Sequence, residues 1–313
     1  TGPEEQNRRP IGTGPYRVAG IEQGKEYRFE KFADHYEGSP KGKAKIGKVQ
    51  VRIITDAATE LAELLSGRAD LLWYVDADQL PNIQRQRNLK TVSAETMRVV
   101  YLVLDAAGRT GAGNPLTNQK VRQAILHAID RKSFVDNLVQ GEARVIHAPC
   151  FPTQLGCDDS GAPKYAYDPK KAKQLLAEAG FPNGFKTQLQ AFRSRTWTEA
   201  IQQDLKAVGI DADVQMLPVA TLIQRFQKGE TPIFQGDWGS FSINDASAII
   251  STFFKGSEDD YARDDQVKAW LDIADNSNDV AVRKENYKKA VNRIMEQAYW
   301  APLNTFVTNY AHT

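Results

Sequence analysis

The chain has 313 residues, of which 41% are hydrophobic and 25% are charged. These proportions are typical of a globular protein, and the length is sufficient for two lobes of ordinary domain size. Lys and Arg number 40 and Asp and Glu 39, giving a net charge of +1. This balance excludes the strongly basic surface expected of a protein that binds nucleic acid or an acidic membrane. No apolar run approaches the roughly 20 residues of a membrane helix.

The first part of the chain predicts a sheet with short helices. It begins at Thr1, without Met or a signal peptide, so we expect a processed or truncated product. Residues 16–21 and 26–32 alternate polar and apolar side chains around a Gln23-Gly24 turn, which predicts a β-hairpin. Asp56 precedes a helical pattern that ends at Gly67. Further strands are predicted at residues 49–55, 70–75, 90–93 and 97–104, and a short helix at 76–83.

Residues 114–141 predict two short helices placed end to end. Thr117 or Asn118 can cap the first helix, and Asp130 can cap the second. A Gly-rich stretch lies directly before them, after the strand predicted at 97–104. A strand, a flexible crossover and a new helical layer together indicate the passage of the chain from one lobe to another.

The rest of the chain alternates strands and helices. Asp168-Pro169 has the capping residue and first-turn proline that favour a helix start. Strands are predicted at residues 186–192, 210–217 and 233–238, with helices at 196–208 and 219–228 between them. This alternation predicts a largely parallel sheet covered by helices. Helices at 246–254, 264–276 and 280–298 and a final strand at 302–310 follow.

Four stretches resemble the extracellular solute-binding proteins, family 5, of peptide-type ABC transporters. They are GTGPYRV with YRFEKFADHYEG, then VRIITDAATELAELLSGRADLLWYV, NPLTNQKVRQAILHAIDRKSFVDNLVQG and YAYDPKKAKQLLAEAGFPNGF. In the second stretch, the family's spacing from Asp56 through Gly67 to Asp70 is kept without a gap. The resemblance covers residues 11–313, but only the later part of a full family member.

The resemblance implies an α/β fold of the two-lobed periplasmic binding protein type (type II, cluster C-like). Such a fold has mixed sheets flanked by helices and a ligand cleft between the lobes. We expect residues 1–104, with a return strand at 300–313, to form a partial first lobe. Residues 105–299 are then expected to form the second lobe.

The same resemblance implies the substrate-binding component of an ABC transporter. It would capture a small solute, peptide or amino-acid-like, and deliver it to the membrane permease, its protein partner; no nucleic acid is expected. Closure about a hinge would sequester the ligand. We expect a monomer in the periplasm or outside the cell, with a lipid anchor on the full-length protein as one option. The alternatives are a receptor that presents its ligand to a membrane sensor, and a hydrolytic enzyme.

The residues supply no recognisable catalytic or metal-binding set, so we expect neither an enzyme nor a cofactor. The four histidines, at positions 35, 127, 147 and 312, are scattered. The sequence lacks G-x-S-x-G, H-E-x-x-H and P-loop motifs. Gly12-Thr13-Gly14 is followed by Pro15 and a strand, where a dinucleotide motif needs a helix.

Cys150 and Cys157 are the two cysteines, and both lie in one loop rich in Pro and Gly. His147 is the only further ligand nearby, so a four-ligand zinc set cannot be completed from this stretch. We predict a disulfide, which indicates an oxidising compartment. The alternative is two unrelated thiols.

Polar and aromatic side chains follow two of the predicted strands, at strand ends of the kind where open α/β sheets bind ligands. Arg193 and Arg195, beside Trp197, suit a carboxylate, with a solvated loop and a core tryptophan as the alternative. After the strand at 233–238 we select as ligand-binding candidates Trp238, Gly239, Ser240, Phe241, Asn244 and Asp245.

The family's peptide binders carry a W-x-x-D word at this second strand end, and its Asp receives the ligand's α-ammonium group. By the resemblance, Trp238 takes the Trp position and Phe241 takes the Asp position. Because phenylalanine cannot neutralise an ammonium ion, the usual amine anchor is missing, unless the charge comes from Asp237, Asp245 or Asp105.

Overall fold

The computed structural model describes Glu5 and residues 10–40, 42–139 and 141–313. Near the start of the chain β1 (Tyr16–Glu22), β2 (Glu26–Lys31) and β3 (Lys48–Arg52) form an antiparallel sheet in the order β1-β2-β3. The register pairs Tyr16 with Lys31, so the predicted hairpin is confirmed.

Helix α1 (Ala57–Leu65) begins at the predicted cap, where Asp56 accepts a hydrogen bond of 2.8 Å from the Thr59 N–H. Strand β4 (Leu71–Trp73) pairs antiparallel with the last residues of the final strand. The helix predicted at 76–83 is instead a 3₁₀ turn, Ala77–Gln79, followed by α2 (Leu80–Gln84), which has Pro81 in its first turn. A small core joins these elements through Leu64, Leu72, Val75, Ile83, Leu89 and Ala311.

The main sheet contains β5 (Lys90–Leu104), β6 (Phe185–Ala191), β7 (Ile210–Met216), β8 (Ile233–Trp238) and β9 (Trp300–His312). Their order is β9-β5-β8-β6-β7, and β6 runs parallel to both β7 and β8, as the strand–helix alternation predicts. β5 is one continuous strand rather than the two predicted at 90–93 and 97–104, and it runs antiparallel to β8.

The helices associated with this sheet supply many of the buried residues of its hydrophobic core. They are α3 (Gln119–Ala128), α4 (Arg131–Phe134), α5 (Pro169–Glu178), α6 (Arg195–Ala207), α7 (Val219–Gln227), α8 (Ser247–Phe254), α9 (Asp265–Asp275) and α10 (Val280–Glu296). Val100 and Leu102 of β5 belong to one hydrophobic cluster, and Val99 and Tyr101 to another, so side chains that alternate along the strand serve two separate cores. None of the helices described is long and apolar enough to cross a membrane.

The paired helices after the crossover depart from prediction in one respect. Asn118 caps α3 and Asp130 caps α4, but α4 continues as a π-helix, Val135–Val139. Two arginines of this pair are buried, and their guanidinium groups donate to main-chain carbonyl oxygens: Arg122 to Leu116 and Gln297, and Arg131 to Ile146 and Tyr165. Burial lowers the pKa of each arginine to about 10, which still leaves it protonated at neutral pH.

Over the described residues the chain forms two compact units. The first comprises residues 1–75, 79–91 and 310–313, and the second comprises 76–78 and 92–309. The chain therefore passes between units at 75/76, 78/79, 91/92 and 309/310, whereas passages at 104/105 and 299/300 were expected. The reason is that most of β5 and β9 belongs to the main sheet: Val99 to Leu104 pair with β8.

Candidate functional site

The chain leaves β8 through a turn of three residues in the left-handed region. Ser240, Phe241 and Ser242 have φ values of 50°, 49° and 60°. This conformation costs a non-glycine residue roughly 1–2 kcal/mol. The turn is closed by hydrogen bonds from the Ser242 N–H to Gly239 O (2.9 Å) and from the Ile243 N–H to Ser240 O (2.8 Å). It buries Ser240 and leaves Phe241 76% exposed.

Trp238 connects this turn to the core. Its indole N–H donates to Ala248 O at 2.7 Å, which fixes the ring against the start of α8. Its ring lies edge-on to Phe241 at 5.0 Å and to the core residue Phe253 at 5.4 Å. Trp238 is thus half-buried, and its ring packs against that of Phe241. Its contact with a ligand stays a prediction.

Asp245 is held by its own chain. Its carboxylate accepts from the Ser247 N–H (3.0 Å) and hydroxyl (2.7 Å), and it pairs with Arg283 at 2.8 Å. Burial raises the pKa of Asp245, but the bonds from Ser247 and Arg283 outweigh it, so the net pKa lies below the ordinary value of 3.8. Its neighbour Asn244 is exposed and lines a surface pocket of about 400 Å³ together with Lys284 and residues 153–158.

Asp237 holds two arginines at once. Its Oδ2 lies 2.5 Å from Arg193 Nε, and its Oδ1 accepts from Arg98 Nη1. The Asp237 side chain is 3% exposed, whereas those of Arg98 and Arg193 are 28% and 36% exposed. Both guanidinium groups lie over the Phe306 ring, at 5.8 and 5.5 Å. One carboxylate therefore bonds two guanidinium groups.

Arg195 and Trp197 do not share this arrangement with Arg193. Ser194 caps α6, so Arg195 begins the helix and pairs at 3.3 Å with Glu199, one turn along its exposed face. Trp197 turns toward the core and lies edge-on to Phe134 (5.7 Å) and Phe306 (6.1 Å). Of the three residues predicted at this strand end, only Arg193 joins the Asp237 cluster.

Asp105 also serves the fold. It is fully buried and accepts from the N–H groups of Arg109 (2.9 Å) and Thr110 (2.8 Å) and from the Asn114 amide (2.8 Å). Asp105, Asp237 and Asp245 are the three carboxylates considered as substitutes for the family's amine anchor. Each is bonded to donors of its own chain, and a role of any of them as the amine anchor stays a prediction.

Sequence reasoning missed two residues of this region. Arg98 lies in an apolar strand, and its signal is the charge itself, because a buried apolar run rarely includes an arginine without a partner. Gln235 lies two residues before Asp237 and so on the same face of β8. Its side chain is buried, and no donor among the described residues reaches its Oε1.

Two further observations concern the cysteines and possible metal ligands. Cys150 and Cys157 are joined by a disulfide. Within the ranges that the structure describes, no three His, Cys, Asp or Glu side chains are grouped so as to hold a metal ion.

Comparison with known proteins identifies relatives of this chain. The family described as "Bacterial extracellular solute-binding proteins, family 5 Middle" matches residues 1–261. Among curated proteins, heme-binding protein A of Haemophilus influenzae is 27% identical over 314 residues, covering 96% of this chain and 55% of that protein. Glutathione-binding protein GsiB of Escherichia coli K12 is 27% identical over 310 residues, covering 94% of this chain and 58% of that protein.

Among solved structures, the periplasmic binding protein DppA of Helicobacter pylori, in complex with the peptide STSA, superposes with a TM-score of 0.85. It is 25% identical, and the match covers 97% of this chain and 59% of that one. The chain therefore belongs to the family 5 bacterial extracellular solute-binding proteins, and its fold is that of the type II periplasmic binding proteins. It spans little more than half the length of these relatives, which are binding proteins rather than enzymes.

Proposed function

We propose that this chain is part of the substrate-binding component of an ABC transporter, which captures a small solute outside the cytoplasm and delivers it to a membrane permease. Membership of family 5 and the relatives named above support this role. We further propose that the protein binds without catalysis. The observation that carries the proposal is the pair of partly exposed guanidinium groups that Asp237 holds beside the end of β8.

The chemistry of this cluster favours a ligand with a carboxylate. Arginine recognises carboxylates through two parallel N–H donors, and a guanidinium already fixed in place loses less entropy on binding. Asp237 engages one nitrogen of each arginine in the bonds described. The carboxyl terminus of a peptide, or the acid group of an amino-acid derivative, is the kind of group that such guanidinium groups bind.

The ammonium group of such a ligand would face an uncharged aromatic residue rather than a charged partner. By the resemblance, Phe241 takes the position of the aspartate of the family's peptide binders, and it is an exposed aromatic residue with no charge. An aromatic ring contributes only about 0.5–2 kcal/mol toward a cation. The buried Oε1 of Gln235 is an acceptor that an N–H group of a ligand would satisfy. We therefore propose a ligand anchored by its acid group, with little dependence on a free ammonium group.

Calorimetry on the complete protein tests this proposal, with short peptides whose ends are free, N-acetylated or C-amidated. Mass spectrometry of small molecules that copurify with the protein identifies further ligands to include. Arg193→Gln and Arg98→Gln should each weaken binding of ligands with a free carboxylate by about tenfold or more, equivalent to ~1.4 kcal/mol. Arg195→Gln is the matched control and should leave the affinity unchanged. Wild-type affinity in both cluster variants would contradict the proposed site.

A further inference from the structure

The disulfide loop, residues 150–157, lies against the segment that follows the left-handed turn. Leu155 and Asp245 form a parallel β-bridge. In this bridge the Leu155 N–H donates to Asn244 O at 3.2 Å, and the Ala246 N–H donates to Leu155 O at 3.0 Å. Two main-chain hydrogen bonds therefore join segments that are about ninety residues apart in sequence.

Gln154 adds the side-chain part of this junction. Its Nε2 donates to Ile243 O (3.0 Å) and to Asp245 O (3.2 Å), and its Oε1 accepts from the Phe151 N–H at 2.9 Å. The side chain is buried, with 3% of the residue exposed. Both amide hydrogens and the amide oxygen are thus used, so the same side chain folds its own loop and holds the opposite segment.

The loop itself is held from two other directions. The disulfide joins its ends, with Cys150 fully buried. Gly156 has a φ of 84° and lies so close to Tyr287 that a Cβ on the glycine would be 2.4 Å from the ring. Tyr287 in turn bonds Asp275 and Arg283, and Arg283 pairs with Asp245. The loop therefore presents Gln154 from a fixed base.

The left-handed turn lies between two fixed points. Trp238 ends β8 on one side, and Ile243, whose carbonyl Gln154 binds, lies on the other. Three successive non-glycine residues with positive φ persist only where the surrounding structure determines them. We propose that Gln154, presented by the disulfide loop, is a positioning residue that holds the Ser240–Ser242 turn and so sets where Phe241 stands; its link to ligand binding rests on the proposed function.

Hydrogen exchange of individual amides tests this inference without a ligand, on the complete protein. Gln154→Met keeps the side-chain volume and removes all three hydrogen bonds. The amides of Ser242, Ile243 and Ala246 should then exchange at least tenfold faster, while amides in α9 and α10 stay within twofold of wild type. Thr153→Ala, at an exposed position of the same loop, is the control and should change none of them.

Should Gln154→Met fail to fold, reduction of the wild-type disulfide by dithiothreitol gives a second measurement at the same three amides. It should accelerate exchange at these three amides by a larger factor than at the amides of α9 and α10, whose exchange follows overall stability. Exchange that stays within twofold of wild type at these amides would overturn the inference. So would a uniform increase across the chain, because Gln154 would then act on overall stability alone. A failure to bind any peptide bears only on the proposed function.

Discussion

The Oδ2 atom of Asp237 lies 2.5 Å from Nε of Arg193, while the other oxygen of the same carboxylate accepts from Arg98. One buried acid therefore fixes two arginines that come from different strand regions of the main sheet. It places them over one aromatic ring, that of Phe306. The acid lowers the repulsion between the two guanidinium groups.

Replacing this acid should destabilise the protein. Asp237→Asn removes the negative charge that pairs with both Arg98 and Arg193. We expect the free energy of unfolding to fall by about 3 kcal/mol, the usual cost of breaking a buried ion pair. Urea denaturation at pH 7 measures the change. Glu199→Gln removes the exposed partner of Arg195 and should cost less than about 1 kcal/mol. Equal urea midpoints for Asp237→Asn and wild type would contradict the structural role of Asp237.

Phe241→Asp should supply a carboxylate at the position where, by the resemblance, the family's peptide binders carry the aspartate that receives the ligand's ammonium group. The left-handed region tolerates Asp better than Phe, and Phe241 is already 76% exposed, so the fold should be retained. A carboxylate at this position should favour free peptides over N-acetylated peptides by about tenfold, or ~1.4 kcal/mol. Calorimetry with matched peptide pairs measures the preference. Phe241→Asn is the uncharged control and should show none. If wild-type protein already discriminates against acetylated peptides, another group supplies the anchor.

The pair of Asp245 and Arg283 predicts a loss of stability in acid. The pKa of Asp245 is lower in the folded chain than its ordinary value of 3.8. A lowered folded pKa contributes stability above the unfolded pKa, and this contribution is lost as the pH falls through the folded value. Asp245→Asn should therefore cost about 1–3 kcal/mol at pH 7, and the difference from wild type should shrink below about pH 4.

Urea denaturation at pH 7, 5 and 3 follows this difference. Asp211→Asn, at an exposed position of β7, should change the free energy of unfolding at pH 7 by no more than about 0.5 kcal/mol. A cost of Asp245→Asn that persists unchanged at pH 3 would show that the Asp245 charge is not its cause.

The Cys150–Cys157 bond should be detectable by chemistry alone. Non-reduced, denatured protein from an oxidising compartment should contain no free thiol. Reduction should lower the free energy of unfolding by about 2.5 kcal/mol, the chain-entropy value for so short a loop. Thiol titration and urea denaturation with and without reductant measure the two quantities. Two free thiols in the non-reduced sample would contradict the bond.

Local signals in the sequence predicted the elements well, because caps, turns and side-chain periodicity act over a few residues. Asp56, Asp130 and Asp168 cap helices as expected, and the 16–31 hairpin forms around its turn. The length of β5 was underestimated because Ser93, Glu95 and Thr96 interrupt its apolar pattern, while the strand continues through them.

The candidate site was harder to predict from the sequence than the helices and strands, because its contacts join distant parts of the chain. Arg98 and Asp237 are 139 residues apart, and no local pattern pairs them. Arg193 and Arg195 are the same residue type and lie only two positions apart. They differ because Ser194 caps the helix that begins at Arg195, so that Arg193 lies at the strand end and Arg195 on the helix surface.

The position of Trp238 allows movement of the Ser240–Ser242 turn to be followed by tryptophan fluorescence. The chain has five tryptophans, and Trp238 is the one whose indole contacts Phe241. Its ring is half-buried, and its N–H is bonded to a carbonyl, so movement of the turn alters both the polarity around the indole and its access to quenchers. Trp300, by contrast, is buried and stacked on Tyr101. A variant that keeps Trp238 and replaces the other four tryptophans by phenylalanine would report turn motion through its emission wavelength.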